Sequence, residues 1–379
     1  MTENRAKFGA IHGMRGIAAI GVVFFHLSGN LQPQLKELLP NFISTLFSYG
    51  YLGVPIFFVI SGFVISYSTA SAHVTLKYCG NFALRRSIRL DIVYWVSIAL
   101  ALVLLAIKNQ FLGGNESFPS ASDVILHMFY LQELMEVEPA ISVVYWTLCL
   151  EVQFYLFYIF SLWVAQKAPL LDYYWVHLYA ICGLGVYSIL LDLGLLENTI
   201  HGLFISDWHY FLMGVLVGNT IRGLPYSRSV FSVWLLIEVA CQLTLEFKEY
   251  ASAGIFCYVL IFGMWRFGLL DKLFTGRMLM YLGTISYPLY LVHPDIGWKV
   301  ISVAKKFLGD AILPWESGVL LMLGIFVSIV IAHILHVLFE VPTQRIAAKV
   351  KSKPLLAALK ETFKPNKLSK KDALKSASS

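Results

Sequence analysis

The sequence predicts an all-α bundle of about ten membrane-spanning helices with both termini in the cytoplasm, and three observations predict it. Apolar residues make up 58% of the chain against 14% charged, with a mean hydropathy of +0.70; an average soluble domain carries about a quarter charged residues. The apolar residues gather into runs close to the ~20 residues that cross a bilayer as a helix. Lysine and arginine crowd the segments that such a layout leaves on one side, the pattern of cytoplasmic loops. No small-residue cleavage site follows the opening MTENRAKFGA, so the first run is expected to stay as an anchor.

Taken in order, the runs lie at 11–28, 47–67, 90–107, 143–164, 174–191, 203–217, 231–245, 251–265, 278–300 and 319–339. The run at 203–217 is interrupted by Asp207 and His209, and 251–265 is short; a further apolar piece at 124–134 is too short to span and reads as re-entrant or interfacial. With the N-terminus inside, 22 of the 29 lysines and arginines fall on inner segments, six fall outside, and Arg15 lies within the first run. The outer loops are short and carry Glu116, Asp123, Glu133, Glu136 and Glu138, so no outer domain is expected. We divide the chain into a membrane domain at 8–345 and a basic cytoplasmic tail at 346–379. The tail has a short amphipathic piece near 355–363 suited to anionic lipid, followed by disorder.

The net charge of +6 does not point to nucleic acid, because the lysines sit beside membrane segments and are not interleaved with stacking aromatics. Five cysteines, odd in number and without CxxC spacing, imply neither a disulfide framework nor a metal site.

Ionisable groups inside apolar runs carry the functional signal, since each is expensive there. In GMRGIAAIGVVFFHLSGN at 13–30, Arg15 and His26 stand eleven residues apart, almost three turns, and so project from nearly one helical face. They fit a catalytic pair, and equally a snorkelling arginine with a histidine satisfied by a neighbouring helix. In NFALRRSIRLDIVYW at 81–95, Arg85 and Arg89 share a face with Arg86 beside them. Three guanidiniums there suit a phosphorylated ligand, or simply mark the inner side of the membrane. Small residues around Ser61 and Gly62 permit close packing or a break that lines a cavity. Glu151, alone in its run, must be paired, hydrogen-bonded or protonated, with Arg15 and His26 as available partners. Gly214 and Gly218 form a GxxxG packing face. Ser286, Tyr287, Tyr290 and His293 lie on a segment interrupted by Pro288 and Pro294, which is expected to be irregular and to line a cavity. Glu340 and Pro342 mark an exit to the cytoplasm.

Together and in this order, these pieces give the sequence a resemblance to the membrane-bound acyltransferase 3 family. The residues that carry it are Arg15 with His26, FFVISGFVIS at 57–66, the cluster Arg85, Arg86 and Arg89, WTLCLEVQFY at 146–155, SYPLYLVHP at 286–294 and FEVP at 339–342. The resemblance implies a multi-pass enzyme of the bacterial cytoplasmic (inner) membrane. Its expected reaction moves an acyl group, commonly acetyl, from cytoplasmic acyl-CoA to a hydroxyl of a surface or exported glycan. No permanently bound cofactor is implied, and the partners are acyl-CoA, a glycan or lipid-linked glycan acceptor and the bilayer. Some relatives carry a fused SGNH-type domain; the expectation here is a form without it, acting directly or through a separate extracytoplasmic transferase. On this reading His26 is the general base, histidine being the side chain whose ordinary pKa is nearest neutrality. Glu151 and Arg15 support it, and Arg85, Arg86 and Arg89 hold the donor phosphates. Ser61, Ser286, Tyr290 and His293 line the substrate cavity. The alternative is a transporter using intramembrane His, Arg and Glu as a relay; acyl-CoA hydrolysis or acyl transfer by the purified protein would separate the two.

The charge asymmetry predicts an even number of crossings. A reporter that is active only outside the cell, fused after Lys353, should be silent, and an active fusion would contradict the layout.

Overall fold

In a computed structural model, residues 8–350 are described apart from 70, 112, 139, 168–172, 199, 245–247 and 310–311. Among them there is no strand: the chain is a helical bundle, as the apolar runs predict. In chain order the helices are α1 (Gly9–Gly29), α2 (Gln34–Leu38), α3 (Asn41–Ser48), α4 (Gly53–Thr69), α5 (Leu76–Phe111), α6 (Ala121–Met128) and α7 (Trp146–Ala165). There follow α8 (Tyr173–Asp192), α9 (Trp208–Ile221), α10 (Ser227–Thr244), α11 (Glu249–Arg266), α12 (Arg277–Leu308), α13 (Pro314–Leu335) and α14 (Val341–Val350). Six helical stretches among the described residues are long and apolar enough to cross a membrane by length and composition alone.

Each of the ten expected runs falls on a helix, but several bounds differ for physical reasons. The run at 90–107 belongs to a 36-residue helix, because the preceding arginines, instead of ending it, continue it along a cavity wall. The run at 203–217 is a 3-10 turn (Phe204–Asp207) leading into the 14 residues of α9. At ~1.5 Å per residue α9 is shorter than a bilayer core, yet every residue from Trp208 to Thr220 is buried, so neighbouring helices enclose it. The piece at 124–134 overlaps the short helix α6, which starts three residues earlier at a capping box between Ser120 and Asp123. Pro288 and Pro294 do not break α12, which runs unbroken over 32 residues. Pro342 does not end the last span either: a π turn (His336–Glu340) joins α13 to α14. Ile346 and Val350, expected in the tail, pack against Ile88 of α5. The amphipathic piece near 355–363 lies outside the described residues.

Two glycine-lined crossings fix the centre of the bundle. A Cβ added at Gly214 of α9 would lie 1.9 Å from the Val59 carbonyl of α4, and one at Gly62 would lie 2.0 Å from the Phe211 carbonyl. The GxxxG face thus packs as expected, backbone against backbone. Between α1 and α12, Gly283 meets the His12 carbonyl and Gly16 the Leu279 carbonyl, at 2.2 and 2.7 Å on the same measure. Along each crossing the contacts advance in the same chain direction, Val59 with Gly214 and then Ser66 with Gly218, Gly16 with Leu282 and then Leu27 with Gly297, so α1 runs parallel to α12 and α4 to α9. Alternating spans require this of the first and ninth, and of the second and sixth.

Gly214→Ala should therefore force α4 and α9 apart and lower thermal stability in detergent, at a cost of about 1–3 kcal/mol. Gly263→Ala, where a Cβ meets nothing within 4 Å, should leave the melting temperature unchanged or slightly raised.

Candidate active site

At one end of the bundle a cavity of about 730 Å³ opens between α1, α5, α12 and the α13–α14 junction. Its polarity comes from the helical repeat of α5: Phe82, Arg85, Arg86 and Arg89, spaced three and four apart, all face it. Arg15 of α1 adds a fourth guanidinium. Arg86 stacks on the ring of Tyr155 at 4.3 Å, and the Arg85 Nε donates to the Asn81 carbonyl at 3.2 Å. The Nε of Arg89 is shut off from solvent and has no hydrogen-bond partner. Glu340 is the carboxylate in this wall, held by His336 Nδ1 at 2.7 Å and by Gln344 Nε2 at 2.8 Å. Four guanidiniums against one carboxylate leave a strongly cationic chamber, shaped for an anion.

A narrower space of about 100 Å³ continues from this chamber into the bundle, sharing Arg15, Arg86, Arg89 and Ser286 with it. Beyond these its walls are largely apolar and aromatic, including Phe57, Phe58, Leu148 and Tyr287. Glu151 lies here and accepts hydrogen bonds from Ser61 Oγ at 2.5 Å and from the Tyr155 hydroxyl. Tyr290 forms part of the same wall, with its hydroxyl 2.9 Å from Thr147 Oγ1.

Past Tyr290, a histidine pair links α1 and α12. His26 Nδ1 lies 3.0 Å from His293 Nε2, with the ring centroids 5.1 Å apart. The neighbouring bonds assign the tautomers. Pro294 has no N–H, so the Tyr290 carbonyl one turn back loses its helical donor. His293 Nδ1 takes that place, 2.9 Å from the Tyr290 carbonyl and 3.1 Å from that of Leu289. A neutral His293 thereby carries its proton on Nδ1 and presents the Nε2 lone pair to His26. His26 Nδ1–H then donates to His293 and to its own Val22 carbonyl at 3.1 Å. His26 Nε2 is left as the basic nitrogen. The His26 carbonyl accepts from Trp298 Nε1 at 2.9 Å.

The expected residues thus fall into three places, the first two connected through shared walls. Arg15, Arg85, Arg86, Arg89 and Ser286 line the cationic chamber; Ser61, Glu151 and Tyr290 line the narrow space. His26 and His293 form the pair beyond it. Glu151 shares a wall with Arg15, as one expected pairing would have it, but its hydrogen bonds go to Ser61 and Tyr155, and the ring of His26 is held by His293 instead. Residues that the sequence reading passed over are Tyr155, which carries Arg86 and Glu151, and Trp298 behind His26. His336, Glu340 and Gln344 were also passed over as a unit, although their i, i+4, i+8 spacing puts them on one helical side.

Comparison with known proteins agrees with these features. The family described as "Acyltransferase domain", acyltransferase 3, matches residues 8–337. The acyltransferase MdmB of Streptomyces mycarofaciens is 22% identical over 384 aligned positions, covering 92% of this chain and 95% of its own. The peptidoglycan O-acetyltransferase OatA of Listeria monocytogenes is 24% identical over 366 positions. That match covers 79% of this chain and 53% of OatA, so the chain spans about half of that relative. No solved structure matches. With the family matched over nearly its whole length and a multi-pass bundle that places the family-like residues around connected cavities, this chain belongs to the acyltransferase 3 family and is a membrane enzyme that transfers acyl groups.

Proposed function

We propose that the enzyme moves an acyl group, most simply acetyl, from cytoplasmic acyl-CoA to a hydroxyl of a surface or exported glycan, and that it resides in the bacterial cytoplasmic membrane. The observation that carries this reading is the order of chemistry: a cationic chamber, a narrow apolar space that shares its arginines, and, behind Tyr290 of that wall, a histidine with a basic nitrogen. Acyl-CoA has the same order of parts. Its phosphates match the guanidiniums of Arg15, Arg85, Arg86 and Arg89, which form bidentate contacts with phosphate oxygens. Its thin pantetheine arm suits the narrow space, and its thioester then lies toward Tyr290 and the histidines. The chamber volume is within the ~300–1,000 Å³ of ordinary ligand sites. The name of OatA supports an acetyl donor and a glycan acceptor.

In the reaction, His26 Nε2 takes the proton of the acceptor hydroxyl while the hydroxyl oxygen attacks the thioester carbonyl. The C–O bond forms, the tetrahedral centre collapses with loss of the C–S bond, and the proton passes from His26 to the departing thiolate. His293 acts through His26: it holds the imidazole in the tautomer with a free Nε2 and accepts a hydrogen bond from the imidazolium that forms. Glu151, tied to Ser61 and Tyr155, neutralises part of the guanidinium charge beside the donor arm.

Two experiments test this reading in protein purified into nanodiscs. His26→Gln keeps a polar side chain but cannot take up a proton at neutral pH; acyl transfer should fall by about 10²–10⁴ with acyl-CoA affinity unchanged. Transfer at the wild-type rate would reduce His26 to a packing residue. Arg89→Ala should weaken binding of acyl-CoA by roughly tenfold or more, with partial recovery in Arg89→Lys because a point charge cannot replace the planar fork. The affinity for acyl-pantetheine, which lacks the nucleotide phosphates, should hardly change; an equal loss for both ligands would remove the arginine from phosphate recognition.

A further inference from the structure

At the end of the bundle away from the arginines lies a second cleft, of about 630 Å³, between the C-terminal part of α5, the segment after α6 and the later turns of α12. The reading above gives it no role. Its lining differs in kind from that of the cationic chamber. Lys108 is paired with Glu116, Lys299 and Lys306 stand with the carboxylate of Asp295, and Ser142, Ser302 and Trp298 add hydroxyls and an indole in place of guanidiniums.

Two of these carry unmet bonding. Asp295 Oδ2 on α12 and Ser142 Oγ on the segment before α7 are both shut off from solvent; the two side chains interact with each other and Asp295 also feels the charge of Lys299, yet neither atom closes a well-formed hydrogen bond. Orphaned buried polar atoms are uncommon in folded proteins, and two in the wall of one cleft mark a place where a ligand or bound water completes the bonding. A carboxylate oxygen accepts only, while a serine hydroxyl both donates and accepts. Together they complement a group that donates and accepts at once, which is the property of an alcohol.

Trp298 gives the cleft its direction. The same side chain that lines it donates its indole N–H to the His26 carbonyl, and its ring stands edge-on to the His26 imidazole at 6.0 Å. The indole is therefore the partition between the cleft and the proposed base. An aromatic face beside hydrogen-bonding groups is how proteins hold a pyranose ring, whose C–H face stacks while its hydroxyls bond.

We propose that this cleft is a sugar subsite: a hexopyranoside lies against Trp298 with one hydroxyl bonded to Asp295 and Ser142, which sets another hydroxyl toward His26. This deepens the acyl-transfer reading and rests on it for the direction of the reacting hydroxyl, although sugar binding itself does not depend on acyl-CoA.

The test uses the full chain in nanodiscs without acyl-CoA. Saturation-transfer NMR is recorded with methyl β-D-glucopyranoside and methyl N-acetyl-β-D-glucosaminide, with glucose 1-phosphate as an anionic control. Wild-type protein should transfer magnetisation to ring protons of at least one neutral glycoside, and Asp295→Asn and Trp298→Leu should abolish most of it. Trp298→Phe keeps an aromatic face and should retain part of the signal, which separates stacking from misfolding. No transfer to either neutral glycoside, transfer to glucose 1-phosphate alone, or equal transfer in the Asp295→Asn protein overturns the subsite. In a transfer assay, Asp295→Asn should raise the acceptor KM roughly tenfold and leave acyl-CoA affinity unchanged. If the wild-type chain fails to bind acyl-CoA while the neutral glycoside signal persists, the donor reading falls and the subsite stands.

Discussion

A charge carried into an apolar bundle must be paired, hydrogen-bonded or given access to water, and in this protein that requirement shapes the interior. Four guanidiniums cannot be packed against apolar neighbours, so the helices around them part and leave a chamber. Where the cations are joined by protein groups, the partners are an aromatic face for Arg86 and a backbone carbonyl for Arg85, both of which leave the remaining guanidinium donors for a ligand. Glu340, the carboxylate in that wall, is held by His336 and Gln344. A cavity with this much like charge is poorly satisfied until an anion enters.

The chamber is held open by closeness elsewhere. Glycine against backbone at the α4–α9 and α1–α12 crossings replaces side-chain packing with direct helix contact, which lipid-embedded helices need because lipid supplies no hydrophobic drive for association. Those crossings fix where α1 and α12 stand relative to each other, and so bring His26 of one to His293 of the other. A looser crossing would still form the helices. It would not hold two imidazoles in hydrogen-bond contact.

Much of the bundle was legible in the sequence because apolar runs and basic flanks are local signals. So were the arginine cluster and Glu151, which stand out as ionisable groups in apolar surroundings. What escaped was set by non-local geometry or by a helix behaving against its local rule. Nothing in the periodicity of α1 points to a residue 267 positions away, so the His26 pair was unreadable even though both members were noted. Hydropathy places the start of α5 after the arginines, since a sliding window cannot tell charges facing a cavity from charges outside the membrane. Prolines read as breaks; Pro294 is absorbed because the preceding histidine takes over the carbonyl it frees, and Pro342 because a π turn precedes it.

Pro294 thus has a consequence beyond tolerance. By freeing the Tyr290 carbonyl it gives His293 a backbone partner for Nδ1, and that bond decides which nitrogen His293 turns to His26. A carboxylate in the place of His293 would fix the same His26 tautomer and stabilise the imidazolium more strongly, but it would add a negative charge to the bundle that must itself be compensated. A neutral imidazole fixes the His26 tautomer without that cost, and in the proposed reaction the weaker stabilisation is acceptable because the proton would be held only between the attack and the departure of the thiolate. The Glu151 carboxylate, tied to Ser61 and Tyr155, lies with the guanidiniums, where its charge has a counterpart. On the proposed reading the interior therefore separates its labour: charge complementarity at the donor end, and proton transfer through neutral groups at the other.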